Sequence, residues 1–325
     1  MIRKLLPMTY AELETKQAKP GLHWILEILV FVAVFLVATI AETLVVACIG
    51  LIVMIADPSM MNGLFEISLS GVADEATLEA FANQLTERIL LPSLYATVVL
   101  ILFVLLFCKT IQNRKMPSLG FRKKGAVPEY LFGLVIGAGM FALAALVAGK
   151  SITITWNKAS VSLIVVYFLA FVIQGMSEEV LCRGYFMMSL ARRSNIALAI
   201  LVNSIAFGLL HLSNNGFTLL AFCNIVLFGI FSSIWFVKRG NIWGVAAEHT
   251  AWNFVQGCVF GISVSGMPKN PSFMQTTLAS GKAAELWNGG SFGLEGGLAV
   301  TIVLFVFCVL ALLVPAKKAE IAITE

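Results

Sequence analysis

Apolar residues run along most of this chain in long stretches, broken by short polar connections. Eight stretches stand out, near 24–56, 89–109, 128–149, 161–187, 196–212, 217–237, 242–263 and 297–315. Each is close to the roughly 20 residues that a helix needs to cross a bilayer, and the first is long enough to tilt or to hide a break. The pattern predicts an all-α, polytopic membrane helical bundle of about eight transmembrane helices. There is no internal repeat and no linker long enough to separate two folding units, so residues 1–325 are expected to form a single integral membrane domain.

Composition agrees with the pattern. The chain is 59% hydrophobic and 12% charged, with mean hydropathy +0.92, whereas soluble domains carry about 25% charged residues. The first twenty residues are polar and the apolar run after them far exceeds a signal's hydrophobic core, so no cleavable signal is expected. Arg3, Lys4, Lys16 and Lys19 precede the first span. Lys109, Arg114, Lys115, Arg122, Lys123 and Lys124 lie between the second and third, and Arg192, Arg193, Lys238, Arg239, Lys317 and Lys318 fall in every second connection after that. Positive residues mark the cytosolic side, which places both termini in the cytosol of a multi-pass protein of the cell membrane. Segment 57–87 is acidic and reads as an outer excursion with a short amphipathic helix; 264–296, rich in Gly, Ser and Asn, reads as an irregular outer loop. The formal charge of +4 reflects this loop bias. No basic surface with interleaved aromatics suggests nucleic acid, so the lipid bilayer is the partner that composition implies. Six cysteines, Cys48, Cys108, Cys182, Cys223, Cys258 and Cys308, sit in apolar segments without paired spacing, and read as small buried hydrophobes.

Against this background the polar residues inside the spans matter most. A charge at the centre of a membrane helix costs roughly 2.5–3.5 kcal/mol on insertion scales, so its default reading is functional. "GMSEEVLCRGYF" at 175–186 holds Glu178, Glu179 and Arg183. Glu179 and Arg183 are four apart and share a helix face, while Glu178 points about 100° away, which suggests different jobs for the two glutamates. His211 and His249 also lie in predicted spans, with Phe207 four residues before the first and Asn253 four after the second. "RRSN" at 192–195 is the natural turn between two antiparallel spans, and at 1.5 Å per residue Glu178 and His211 each lie about 24 Å from it. They can therefore face each other, and His249 and Asn253 join them only if their own turn near Gly240 lies at a different depth. Polar residues in membrane helices can simply bond helices together, at about 0.6 kcal/mol each. Glu27, Glu42, Asn203, Asn224 and Glu248 are given that packing role, with Glu42 the least settled.

A carboxylate and a neutral imidazole that converge can hold and deprotonate a water; a second imidazole and an amide can donate to the oxyanion formed on its attack at a carbonyl. The inventory fits peptide-bond hydrolysis. There is no serine elbow and no HExxH pair, and ligation of a divalent metal such as zinc by Glu178, His211 and His249 lacks signature spacing.

"EEVLCR", "FGLLH" and "HTAWN" are similar to the EExxxR, FxxxH and HxxxN motifs of the CPBP, or Abi, family: CAAX prenyl endopeptidases of the second type and bacteriocin-processing or self-immunity proteins. The resemblance spans about 116–262, with "SLGFR" before the third span and "KRGNIWGVAAEHTAWNFVQG" around the last motif. It implies an intramembrane endopeptidase acting on a peptide or membrane-protein substrate. Carried over, Glu178 is the base with His211 as its partner, His249 and Asn253 are the oxyanion donors, and Glu179, Arg183 and Phe207 are supporting residues. Water activation is open between a metal-free glutamate mechanism and one with a divalent metal. Cys182 departs from the Phe that often precedes the arginine. A non-catalytic membrane protein that keeps the fold to bind a peptide, or to confer immunity, is the alternative from another functional class.

Reporter fusions test the orientation. Fusions within 57–87 and 264–296 should report outside and those within 110–127 inside; a reporter at residue 75 that reads cytosolic overturns the eight-span arrangement.

Overall fold

The computed structural model describes residues 5–6, 10–17, 21–70 and 75–316. Arg3, Lys4, Lys19, Asp74, Lys317 and Lys318, which enter the charge pattern, lie outside the described residues. The chain is a helical bundle with one two-stranded ribbon. Its helices are α1 (Tyr10–Gln17), α2 (Trp24–Ala56), α3 (Pro58–Ser70), α4 (Glu75–Ala96), α5 (Val98–Thr110) and α6 (Ala126–Ala148). After the strand β1 (Ile152–Trp156) come α7 (Val161–Glu179), α8 (Met188–Ala191), α9 (Ile196–Leu209), α10 (Leu219–Arg239) and α11 (Ile242–Phe254). The strand β2 (Met274–Leu278), α12 (Lys282–Asn288) and α13 (Leu298–Leu313) complete it.

Among the described residues five helical runs are long and apolar enough to cross a membrane: Trp24–Ala56, Ala80–Thr110, Ala126–Ser151, Val161–Ala191 and Leu219–Arg239. Ile196–Leu209 and Leu298–Leu313 are shorter apolar helices. Lipid-facing surfaces are apolar as expected: along α2, Leu29, Leu36, Ile40 and Leu44 are all exposed. The stretch expected as a span over 242–263 has a different character. Its α-helix stops at Phe254, passes into a π turn over Val255–Val259, and is buried from Val245 through Asn253. It is a core helix wrapped by protein rather than by lipid, which is how it tolerates Glu248, His249 and Asn253.

Glycine makes that burial possible. Gly133 and Gly137 of α6 face α11 so closely that a Cβ at either would overlap a carbonyl oxygen, of Gly244 and Glu248 respectively. Small residues four apart are the usual means for membrane helices to bring backbones together. Across α11, Gly175 of α7 does the same: a Cβ there would lie 2.9 Å from Thr250 N.

Capping follows the sequence. Asn195 caps α9 by accepting from Leu198 N at 2.9 Å, Thr218 caps α10 through Ala221 N at 3.1 Å, and Asn241 caps α11 through Trp243 N at 3.1 Å; these residue types satisfy the orphan N–H groups of a first turn. α10 ends on Gly240 at φ 62°, the left-handed stop that glycine adopts without penalty.

The connections sort to two ends. At one, Ile242 N donates to Gly120 O at 2.9 Å, and Arg239 makes a bidentate pair with Glu129 at 2.6 and 3.0 Å. At the other, β1 pairs antiparallel with β2, Ile152 opposite Leu278 and Trp156 opposite Met274. The 264–296 stretch is therefore more ordered than the irregular loop expected: it holds a strand, a short helix and several tight turns. Segment 57–87 likewise forms α3 and the start of α4, not a single short helix. Of the six cysteines all are free, and Cys48 and Cys223 are exposed, so the expectation of burial holds only for the other four.

Replacing Gly137 with Ala drives a methyl into the Glu248 carbonyl, and overpacking of this kind costs about 1–3 kcal/mol. A lowered melting temperature of the detergent-solubilised protein is the expected result, with Gly139→Ala, whose Cβ would meet nothing within 4 Å, as the neutral control.

Candidate active site

The three motifs meet. α7 delivers Glu178 and Glu179 at its C-terminal end and runs directly into a π-helical stretch, Val180–Met187. A π turn leaves i→i+4 partners unmade and widens the helix, a distortion that recurs at functional sites. Here Arg114, only 4% exposed, binds the same stretch from outside it, donating from Nη2 to Gly184 O at 2.8 Å and from Nη1 to Tyr185 O at 3.2 Å. Its Nη2 also donates to Ser118 O at 2.8 Å, so the connection before α6 is tied to the motif helix by one guanidinium.

Glu179 and Arg183 pair as their spacing predicts, at 2.8 Å between Oε1 and Nη1, with both side chains fully buried. The guanidinium also lies over the Phe207 ring, 4.6 Å from its centroid, and reaches Gly229 O at 3.3 Å. The cation is thus shared among a carboxylate, a π face and a backbone carbonyl. Glu179 has a second partner that spacing along one helix did not show: the same Oε1 lies 2.9 Å from His249 Nδ1. Because a carboxylate can only accept, Nδ1 carries the proton and Nε2 turns the other way. There it stands 3.6 Å from Glu178 Oε2.

Glu178 points into a cavity of about 440 Å³, which Gln174, His211, His249 and Asn253 also line. Its Oε1 accepts from Gln174 Nε2 at 2.5 Å, and Oε2 is buried without a hydrogen-bond partner. Gln174 Oε1 in turn accepts from Asn253 Nδ2 at 2.9 Å. One amide on α7 therefore sets both the carboxylate and the asparagine. Gln174 lies one turn before Glu178 in the sequence, a spacing that could have singled it out. His211 sits just beyond the end of α9, in a turn, where its N–H bonds back to Gly208 O at 3.2 Å. The expected span over 196–212 thus ends sooner than its apolar pattern suggested. Its Nδ1 is 2.9 Å from Phe207 O; a carbonyl only accepts, so a neutral His211 carries its proton on Nδ1 and leaves the Nε2 lone pair free. Phe207 packs edge-on to both His211 and His249, with centroids 5.0 and 6.1 Å away.

Other polar residues fall around this centre. Glu248, given a packing role, is fully buried and accepts from Ser232 Oγ at 3.2 Å. Asn224 bonds Glu295 O and Gly297 O at 2.7 and 2.9 Å, and Asn203 bonds Ser233 at 3.2 Å; these are helix-joining contacts, as expected. Glu295, in a connection with no recognisable motif, accepts from Trp252, Gln256 and Ser265 and closes one end of the cavity. Glu42 also lines the cavity.

A metal ion would need Glu178, His211 and His249 to converge. Among the described residues no group of three or more His, Cys, Asp or Glu is placed to hold one. As placed here, Glu178, His211 and His249 do not form such a group.

Residues 160–255 match the family model described as Rce1-like: Type II CAAX prenyl endopeptidase Rce1-like. The match contains all three motifs, and the family is one of integral membrane proteases, in keeping with the several apolar helices that could span a membrane. No curated protein and no solved structure matches the chain.

Replacing Glu179 by Gln leaves Arg183 as an unneutralised buried cation; removing one partner of a buried pair costs about 3–5 kcal/mol. The expected outcome is a lower melting temperature, partly restored when Arg183→Gln is added, with the coupling read from a double-mutant cycle. Should Glu178→Gln, and not Glu179→Gln, couple to Arg183, the division of labour between the glutamates is wrong.

Proposed function

Taking residues 160–255 as a segment of the type II CAAX prenyl endopeptidase family, we propose that the protein hydrolyses a peptide bond inside the membrane, at the cavity where Glu178, His211, His249 and Asn253 meet. The observation that carries this reading is the Glu178 carboxylate: one oxygen is held by Gln174, and the other is buried with no hydrogen-bond partner.

A water between Glu178 Oε2 and His211 Nε2 would give its proton to the carboxylate as its oxygen attacks the substrate carbonyl carbon. The carbonyl oxygen gains the charge. Asn253 has a second N–H beyond the one given to Gln174, and His249, when its ring is doubly protonated, can donate from Nε2; both fit the role of oxyanion donors. Collapse of the tetrahedral carbon breaks the C–N bond, and Glu178 returns its proton to the departing amine. Glu179 supports this from behind, by holding His249 at the correct tilt. Peptide bonds near a CAAX-type C-terminus are the substrate class that the family suggests.

The test is mass spectrometry of peptides released in membranes containing the protein. Glu178→Gln keeps shape and removes the proton acceptor, so its products should vanish at unchanged melting temperature. Asn253→Ala should lower turnover about 10²- to 10³-fold, the usual loss for one oxyanion donor, while substrate still binds. Near-normal cleavage by Glu178→Gln would sink the mechanism; unchanged turnover in Asn253→Ala would make that residue a helix contact only.

A further inference from the structure

One wall of the cavity comes from outside the matched segment 160–255. On α2, Phe35, Thr39 and Glu42 fall on one face, at spacings of four and three, and all three line the cavity. α4 adds Leu90, Ser93 and Leu94 beside them, and Thr97 follows just before α5. The hydroxyls of this pair are already satisfied, Ser93 by Leu90 O and Thr97 by Leu94 O, each at 2.7 Å.

Among the described residues three carboxylates border the cavity, Glu42, Glu178 and Glu295, and no Lys or Arg does. Their situations differ. Glu295 is bonded by Trp252, Gln256 and Ser265, and Glu178 by Gln174. Among the described residues Glu42 has neither a hydrogen-bond donor nor an ion-pair partner, and the nearby Glu178 carboxylate repels it. It sits 18 residues into α2 from Trp24, about 27 Å along that helix, far from either helix end. A carboxylate held there without a partner is costly and calls for a compensating charge, and none is placed beside it among the described residues.

We propose that Glu42 is a specificity residue that binds a basic side chain, Lys or Arg, of the peptide seated in the cavity. This rests on the cavity being the substrate site, as proposed above. The apolar faces of Phe35, Leu90 and Leu94 would hold the aliphatic stem of such a side chain while its head meets the carboxylate, the way long cationic side chains bury their methylenes. A charge-assisted hydrogen bond in water-poor surroundings favours a cation over a neutral isostere. The wall from α2 and α4 thus adds a sequence preference to a centre whose chemistry comes from α7, α9 and α11.

The experiment measures binding, so that it does not depend on turnover. The full chain carrying Glu178→Gln is placed in nanodiscs, and dissociation constants are measured for blocked Leu/Ala hexapeptides with lysine, norleucine or glutamate scanned through each position. At one position lysine should bind about tenfold more tightly than norleucine. Adding Glu42→Gln should bring that ratio to near one, and Glu42→Lys should reverse it in favour of glutamate; Glu42→Ala gives the same readout should the Gln variant express poorly. Equal binding of lysine and norleucine at every position, or a lysine preference that survives Glu42→Gln, overturns the role of Glu42 and leaves the endopeptidase reading standing. No binding of any hexapeptide overturns the cavity as a peptide site, and this inference with it.

Discussion

The arrangement depends on one oxygen atom. Glu179 Oε1 meets Arg183 Nη1 at 2.8 Å and His249 Nδ1 at 2.9 Å, so a single carboxylate neutralises a cation on its own helix and orients an imidazole on another. Successive helical residues diverge by about 100°; once Glu179 is fixed toward α11, Glu178 has no choice but to face a different direction, and that direction is the cavity. The pairing of adjacent glutamates is therefore a geometrical device: the fully buried member sets the angle of the one that faces the cavity.

That device needs α11 close by, and it needs the charges to survive burial. Closeness comes from Gly133, Gly137 and Gly175, which let backbone approach backbone where any Cβ would collide. Survival comes from distributing the cation: Arg183 is met by a carboxylate, the Phe207 face and the Gly229 carbonyl. A buried ion pair is weak evidence for stability, since desolvation can exceed the attraction. Its worth here is positional. Arg114 has a comparable role farther from the cavity, donating to the Gly184 and Tyr185 carbonyls; a guanidinium suits both tasks because its donors are fixed in a plane.

Much of this was legible in the sequence, because a membrane makes polar residues conspicuous. The Glu179–Arg183 pair followed from a spacing of four, and the separate direction of Glu178 from the helix period. What spacing could not convey was contact between helices. The bond from Glu179 to His249 joins residues 70 apart, and the one from Asn253 to Gln174 joins residues 79 apart, even though Gln174 stands one turn from Glu178 on its own helix. The core character of α11 was also hidden, since hydropathy responds to composition and not to whether the neighbour is lipid or protein. The order in 264–296 escaped for a related reason: β1 supplies the pairing for β2, and a strand of five residues has no identity without its partner.

The two ends of the bundle are unequal, and the cavity belongs to one of them. α9 starts at the 192–195 turn and carries His211 just past its far end, about 21 Å of helix away. α7 runs the opposite way, so that Glu178 is reached before the π stretch that leads back to the same turn. Ser265, Met267 and Asn270, from the connection that also contains β2, border the cavity, whereas none of the basic residues of 114–124, 192–193 or 238–239 does. Those basic connections are what positive-inside bias holds in the cytosol. An insertion that obeys the bias therefore places the cavity toward the opposite leaflet, beneath the ordered 264–296 connection. At the basic end Arg239 and Glu129 close on each other, so the charges that orient the bundle also tie its helices together at the end away from the cavity.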